Sequence, residues 1–287
     1  MMSAHPAALP RHVIERTVQT AFAEDLGEAG DITSQATIGP DATAVARINA
    51  RSAGVVCGLD CAIAAFSLIG PGLETMPFVA DGAVIGVGDA ILEVRGNARN
   101  LLAAERTALN FLTHLSGVAT LTHSFVLQTE GTEAHICCTR KTTPGLRALE
   151  KYAVRCGGGH NHRFGLNDAI LIKDNHIAVA GGVAQAIAGA KAFGGHLVAI
   201  EVEVDTLGQL EEALASGVTA ILLDNMDEDT LAQAVAITAG RAKLEASGNV
   251  TLERIAAIAR TGVDYISTSR ITTASTPLDL GLDISID

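Results

Sequence analysis

At 287 residues, 48% of them hydrophobic, the chain can form one large α/β domain or two smaller ones around a core that needs no staples. Its 32 acidic against 20 basic side chains give a net charge of -12, and aromatics make up 3%. That balance argues against a nucleic-acid partner, which needs a broad basic face and stacking rings.

The first elements follow from apolar spacing. Ile14, Val18 and Phe22 fall four apart, with Val13 alongside, so residues 11–26 are expected to form a helix ending at Gly27. Asp31 to Ser34 reads as a loop, 43–50 alternates as a strand, and 59–69 reads as a helix. Short apolar runs between 73 and 95 read as antiparallel strands joined by tight turns. Residues 97–115 place Leu101, Ala104, Ala108, Leu112 and Leu115 on one helical side; Gly117 is expected to break that helix, and 118–129 to continue as another.

The rhythm changes after about residue 130. Strands are expected at 134–138, 169–173, 197–204, 219–223, 242–246 and 263–267. Helices fill the intervals at 145–156, 180–192, 206–216, 227–239 and 251–261. Strand then helix, repeated, implies parallel strands with right-handed crossovers. Arg140, Lys173, Glu203, Asp224, Ser247 and Ser267 all fall at or just after a strand's C-terminal end. A barrel gathers such ends around one mouth, whereas an open sheet spreads them along a crevice, so the barrel is favoured. The expected organisation is an N-terminal α+β domain over 1–115, a barrel over 116–274, and a last stretch, 275–287, packed back on the N-terminal half.

Five cysteines, Cys57, Cys61, Cys137, Cys138 and Cys156, lack a paired spacing; they read as buried small hydrophobes in a reducing cytoplasm. No CxxC or HExxH supports a structural zinc. Residues 1–30 carry charges throughout, unlike a signal peptide, and no run approaches the ~18 apolar residues of a membrane span.

Against the acidic background, residues 137–176 hold Arg140, Lys141, Arg147, Lys151, Arg155, Arg163 and Lys173, interleaved with Gly157–Gly159 and three histidines. Arg147, Lys151 and Arg155 recur every four residues and read as a solvated helical stripe. Arg140 and Lys141 instead follow directly on a strand, and His162-Arg163 follows the glycines. Arginine forks fit carboxylates and lysine point charges suit phosphates, so the ligand is expected to carry both. Glu201 and Glu203 share one strand face. Asp224 ends the run Ile221-Leu222-Leu223 and must meet a cation, a hydroxyl or a metal. Glu203 and Asp224 come from successive strands and can meet at the mouth; an internal ion pair with Lys173 is the competing and compatible reading. Ser247-Gly248-Asn249, just before the helix at 251, suits a phosphate. Neither a Walker loop nor a dinucleotide fingerprint is present.

These motifs resemble quinolinate phosphoribosyltransferases: ERTALNFL (105–112), TRKTTPGLR (139–147), GGGHNHRFGLNDAILIKDNH (157–176), EVEVD (201–205), LLDNM (222–226) and EASGN (245–249), in order and over almost the whole chain. The resemblance implies an α/β sandwich plus an incomplete α/β barrel of fewer than eight strands. It implies a homodimer, with a hexamer also open, in which Arg106 is donated across the interface. The implied enzyme is a pentosyltransferase of NAD biosynthesis that joins quinolinate to phosphoribosyl pyrophosphate with Mg2+, giving nicotinate mononucleotide, pyrophosphate and CO2. By position, Arg106, Arg140, His162 and Arg163 would bind quinolinate, and Lys141 and Lys173 would neutralise phosphates. Glu203 and Asp224 would sit near the ribose hydroxyls and the metal. The 5′-phosphate would fall to Ser247, Gly248, Asn249, Thr268 and Ser269, where Asn249 and Ser269 replace more usual glycines. The rival readings are a paralogue associated with molybdenum transport and a non-catalytic anion-binding protein. Retention of Arg106, Arg140 and Arg163 opposes the first, and Glu203 with Asp224 opposes the second.

Overall fold

The computed structural model describes residues 6–285. In chain order the first elements are α1 (Arg11–Leu26), α2 (Ile32–Thr37), β1 (Thr43–Ala50), β2 (Gly54–Val55), α3 (Leu59–Leu68), β3 (Leu73–Pro77), β4 (Val84–Ile85), β5 (Ala90–Asn97) and α4 (Ala98–Leu127). There follow β6 (His135–Cys137), α5 (Arg147–Cys156), β7 (Ile170–Ile172), α6 (Asp174–Ala180), α7 (Val183–Phe193), β8 (Ile200–Val204) and α8 (Leu207–Ala215). The last are β9 (Ala220–Asp224), α9 (Glu228–Thr238), β10 (Lys243–Ser247), α10 (Leu252–Arg260), β11 (Tyr265–Ser267), α11 (Arg270–Thr273) and β12 (Leu280–Ser285).

The chain divides into two compact units that are not consecutive halves. One comprises 1–123, 143–158 and 274–287; the other comprises 124–142 and 159–273. Residues 1–5 and 286–287 of the expected domains lie outside the described residues.

In the first unit, β1 is central to an antiparallel sheet of order β12-β1-β5-β3. Its alternation places Ala44, Ala46, Ile48 and Ala50 inside. β3 pairs directly with β5, while the short β4 pairs with β2, so the runs between 73 and 95 do not form one meander. The segment read as a loop after Asp31 is a helix: the Asp31 carboxylate accepts from the amides of Thr33 and Ser34, both at 3.0 Å. That N-cap signal is local, but the six-residue helix is too short to show periodicity. Gly117 does not break the long helix either. α4 runs unbroken for 30 residues, and a Cβ at Gly117 would lie 2.1 Å from the carbonyl oxygen of Thr276. The glycine serves close packing rather than helix termination. A third correction concerns Lys151, which is fully buried rather than part of an exposed stripe. Its neighbour Glu150, also fully buried, receives the Thr143 amide at 3.1 Å and lies 2.9 Å from His114 Nε2. Spacing of four defines a stripe but not which stripe faces water.

All five cysteines are free and buried. Ligand atoms of Cys57, Cys156 and Asp81 lie within 4.8 Å of one another, although these residues are far apart in sequence. Asp81 also accepts from the Leu59 amide at 3.0 Å, at the start of α3.

In the second unit, six parallel strands run in the order β6-β11-β10-β9-β8-β7. From β7 to β11 each strand lies beside the next one in the chain, and the first strand, β6, lies beside the last, β11. This is the winding of a barrel, left open between β6 and β7, and it matches the expected incomplete barrel. His160 extends the open edge: its amide donates to Ile136 O at 2.8 Å, and the Cys138 amide donates to His160 O at 3.0 Å. The chain carrying His162 and Arg163 therefore leaves from the strand ends. No helix among the described residues is long and apolar enough to cross a membrane.

Candidate active site

The C-terminal strand ends of the second unit surround a cavity of about 800 Å³. Twelve expected site residues line it: Arg140, Lys141, His162, Arg163, Lys173, Glu203, Asp224, Ser247, Gly248, Asn249, Thr268 and Ser269. Arg106 does not; it is exposed on α4, in the other unit. Parallel winding explains the gathering, because every strand delivers its C-terminal end to the same rim.

The first corner is cationic. Arg163 Nη1 donates to Ala169 O at 3.0 Å, while its buried Nε has no hydrogen-bond partner. Burial and the nearby charge of Arg140 push the Arg163 pKa down, so its cation is held against its own environment. The following turn is fixed by Asp168, whose carboxylate accepts from the amides of Phe164 at 2.6 Å and Gly165 at 2.9 Å. An incoming carboxylate could satisfy the Arg163 fork and relieve the Arg140 repulsion together.

The second corner is already internally paired. Lys173 Nζ, just past β7, makes an ion pair with Glu203 of β8. Asp224 ends β9, where burial and the charge of Asp205 raise its pKa above the usual carboxylate range. Asn225 Nδ2 donates to Asp224 at 2.6 Å, and Asn249 Nδ2 donates to Asn225 Oδ1 at 3.1 Å. The oxygen donors of Glu203, Asp224 and the Asn225 amide suit a hard cation such as Mg2+. A different group of possible ligands, His162, Glu201 and Glu245, has its donor atoms within 4.8 Å of one another.

The third corner is backbone-rich. Gly248 has φ +83, and a Cβ there would lie 2.2 Å from Asn225 Oδ1, so no side chain fits. Asn249 has φ +49, a left-handed conformation that asparagine tolerates better than most residues. That accounts for an asparagine where the family resemblance leads one to expect glycine. Ser269 is not among the described residues with positive φ; its carbonyl accepts from the Thr272 amide at 3.0 Å.

Three contributors were not assigned a place in the site from sequence. Asn225 links the second and third corners. Glu201 and Glu203 do share a face, but they serve different partners: Glu201 meets His162 and Glu203 meets Lys173. Glu245 lines the cavity two residues before Ser247, a same-face spacing that was available as a signal.

Fold and site together define a protein that takes an anionic small molecule at the mouth of a barrel-wound parallel sheet. Residues 31–116 match the N-terminal domain of quinolinate phosphoribosyl transferase, and residues 118–283 match its C-terminal domain. A Bacillus subtilis (strain 168) protein named probable nicotinate-nucleotide pyrophosphorylase (carboxylating) is 43% identical over 273 residues, covering 95% of this chain and 94% of that protein. A nicotinate-nucleotide pyrophosphorylase (carboxylating) of Mycobacterium leprae is 44% identical over 273 residues, covering 93% of this chain and 96% of that protein. The solved nicotinate-nucleotide pyrophosphorylase of Francisella tularensis superposes with a TM-score of 0.93 at 40% identity, covering 97% of this chain and 98% of that one. This chain belongs to the quinolinate phosphoribosyl transferase family.

Proposed function

We propose that the chain transfers the phosphoribosyl group of phosphoribosyl pyrophosphate to quinolinate with decarboxylation, releasing nicotinate mononucleotide, pyrophosphate and CO2. The observation that carries this reading is the division of one cavity between an arginine pair and the corner built from Lys173, Glu203 and Asp224. A dicarboxylate and a polyphosphate sugar need those two chemistries side by side.

Arg140 and Arg163 hold the two quinolinate carboxylates and so aim the pyridine nitrogen at the anomeric carbon. That step needs alignment more than proton transfer. Lys141 and Lys173 neutralise the phosphates. As the bond to pyrophosphate breaks, positive charge grows at the anomeric carbon, and the carboxylates of Glu203 and Asp224 stabilise it. Ribosylation makes the ring nitrogen cationic. The C2–carboxylate bond then breaks, its electron pair is held on C2 beside that nitrogen, and a proton takes the vacated position. Glu203 and Asp224 would hold Mg2+, which when bound would neutralise charge on the departing pyrophosphate. Ser247, Gly248, Asn249, Thr268 and Ser269 receive the 5′-phosphate, largely through backbone amides.

Arg106, exposed on α4, is assigned to the site of a second copy in a homodimer. The five buried free cysteines support a cytoplasmic setting. The direct test mixes the protein with quinolinate, phosphoribosyl pyrophosphate and Mg2+ and assays nicotinate mononucleotide. Product is expected from quinolinate and none from nicotinate; the reverse would overturn the reading. For the shared site, Arg106→Ala and Arg140→Ala are each expected to be inactive alone. Mixed and re-associated, they should recover activity through the one unaltered site of each heterodimer. No recovery in verified heterodimers would refute donation by Arg106.

A further inference from the structure

His162 is held at both ring nitrogens. Nδ1 accepts the backbone N–H of Arg163 at 2.8 Å. Nε2 lies 2.8 Å from Glu201 Oε2 on β8 and 3.8 Å from Glu245 Oε1 on β10. A nitrogen that accepts a hydrogen bond carries no proton, so Nδ1 is bare and Nε2 bears the hydrogen, donated to Glu201. The arrangement is well shielded, with side-chain exposures of 13% for His162, 15% for Glu201 and 8% for Glu245. The family resemblance placed His162 directly on a substrate carboxylate. In the described geometry its N–H points instead at a protein carboxylate.

We propose that Glu201, with Glu245 behind it, is a positioning residue that acts through His162 on Arg163. Glu201 holds the imidazole as the neutral Nε2–H tautomer, and the opposite nitrogen holds the Arg163 amide. With Nη1 anchored on Ala169 O, the Arg163 guanidinium is then fixed from both ends of the residue. Fixing it matters because Arg163 sits near Arg140, and two like charges left mobile would separate. The strut therefore keeps two arginines close enough to grip one planar aromatic dicarboxylate, and Glu201 supplies a negative charge near Arg163 in the empty pocket. His162 is on this account a spacer that relays position, and the specificity for adjacent carboxylates comes from the spacing it preserves. The proposal rests on the reading of the pocket as a quinolinate site.

The test has two arms. In the substrate-free protein, 15N spectra of His162 should show one protonated nitrogen, Nε2, and one bare nitrogen, Nδ1, unchanged when quinolinate is added. A doubly protonated ring, or a change at Nε2 on binding, would make His162 a direct ligand and overturn the proposal. In the second arm, Glu201→Gln keeps an acceptor for Nε2–H and is expected to hold the quinolinate KM within about threefold of the parent. Glu201→Ala removes the acceptor and is expected to raise that KM by about tenfold or more, with the phosphoribosyl pyrophosphate KM unmoved. Equal quinolinate KM values in the two variants, or a parallel rise for both substrates, would also overturn it. If Glu201→Ala does not fold, Glu201→Gln and the spectra still decide. A parent protein that makes no product from quinolinate would refute the functional reading, while the substrate-free spectra would still judge the strut.

Discussion

The two charged corners of the cavity solve opposite problems. At Arg140 and Arg163 the protein keeps like charges together, with Arg163 Nε buried and lacking a hydrogen-bond partner. At Lys173, Glu203 and Asp224 it has already matched its charges, through the Lys173–Glu203 pair and the chain of amides from Asp224 to Asn249. The first corner, where Asp168 and Glu201 offset only part of the unfavourable environment of Arg163, gains a further anion from outside. The second must exchange an internal partner for a phosphate or a cation. Binding energy is thus concentrated on the dicarboxylate, while the reacting half is left to respond to charge that develops during the reaction.

The largest expected effect breaks the first corner. Arg163→Met should weaken quinolinate binding by roughly a hundredfold, about 3 kcal/mol, read by titration calorimetry. It should leave the thermal midpoint unchanged or higher, because the cation it removes is disfavoured by burial and by Arg140. A lowered midpoint with intact binding would erase the contrast between the corners.

Asp224→Asn attacks the second corner with a near-isosteric neutral group. It should lower kcat by on the order of a hundredfold and leave quinolinate affinity unchanged. The pH dependence follows from the raised pKa. The folded state holds the Asp224 proton more tightly than the unfolded chain does, so its stability contribution falls as pH rises from the ordinary aspartate value of 3.8 through the higher folded value. At neutral pH the Asp224→Asn protein should therefore melt slightly higher than the parent, and the difference should vanish in acid.

Glu203→Gln sharpens the point about pre-paired charge. It frees Lys173, so the KM for phosphoribosyl pyrophosphate should fall by about threefold while kcat also falls, as expected when ground-state pairing is removed. A rise in that KM with kcat unchanged would mean that Glu203 only binds substrate. The smallest effect is expected at the backbone corner. Asn249→Gly relaxes a left-handed residue and should shift stability by less than about 1 kcal/mol, measured by denaturant unfolding, with activity retained.

Much of this was legible in the chain. Apolar period and turn chemistry located most strands and helices to within a few residues, because both depend on near neighbours. The rule that parallel strands deliver their ends to one rim pointed to Arg140, Lys173, Glu203, Asp224 and Ser247, which all line one cavity; the other seven expected residues found there came from residue chemistry and the family resemblance. The failures have one character. Gly117 was read by its local propensity, but its role is set by Thr276, distant in sequence. Lys151 was read by its spacing, but packing put it inside. Glu245 carried a usable strand-face signal that went unassigned.

The sequence by itself determined the barrel winding, the segregation of cations and acids onto successive strand ends, and the family. The first two follow from periodicity and residue chemistry along the chain; the family follows from the resemblance of six motifs in order. Only the tertiary structure decided which acid serves which partner, and that both ring nitrogens of His162 have hydrogen-bonding neighbours. It alone showed that Asn225 joins two corners and that Cys57, Asp81 and Cys156 meet. Such pairings depend on distances of a few ångströms between different elements, and neither period nor propensity encodes them.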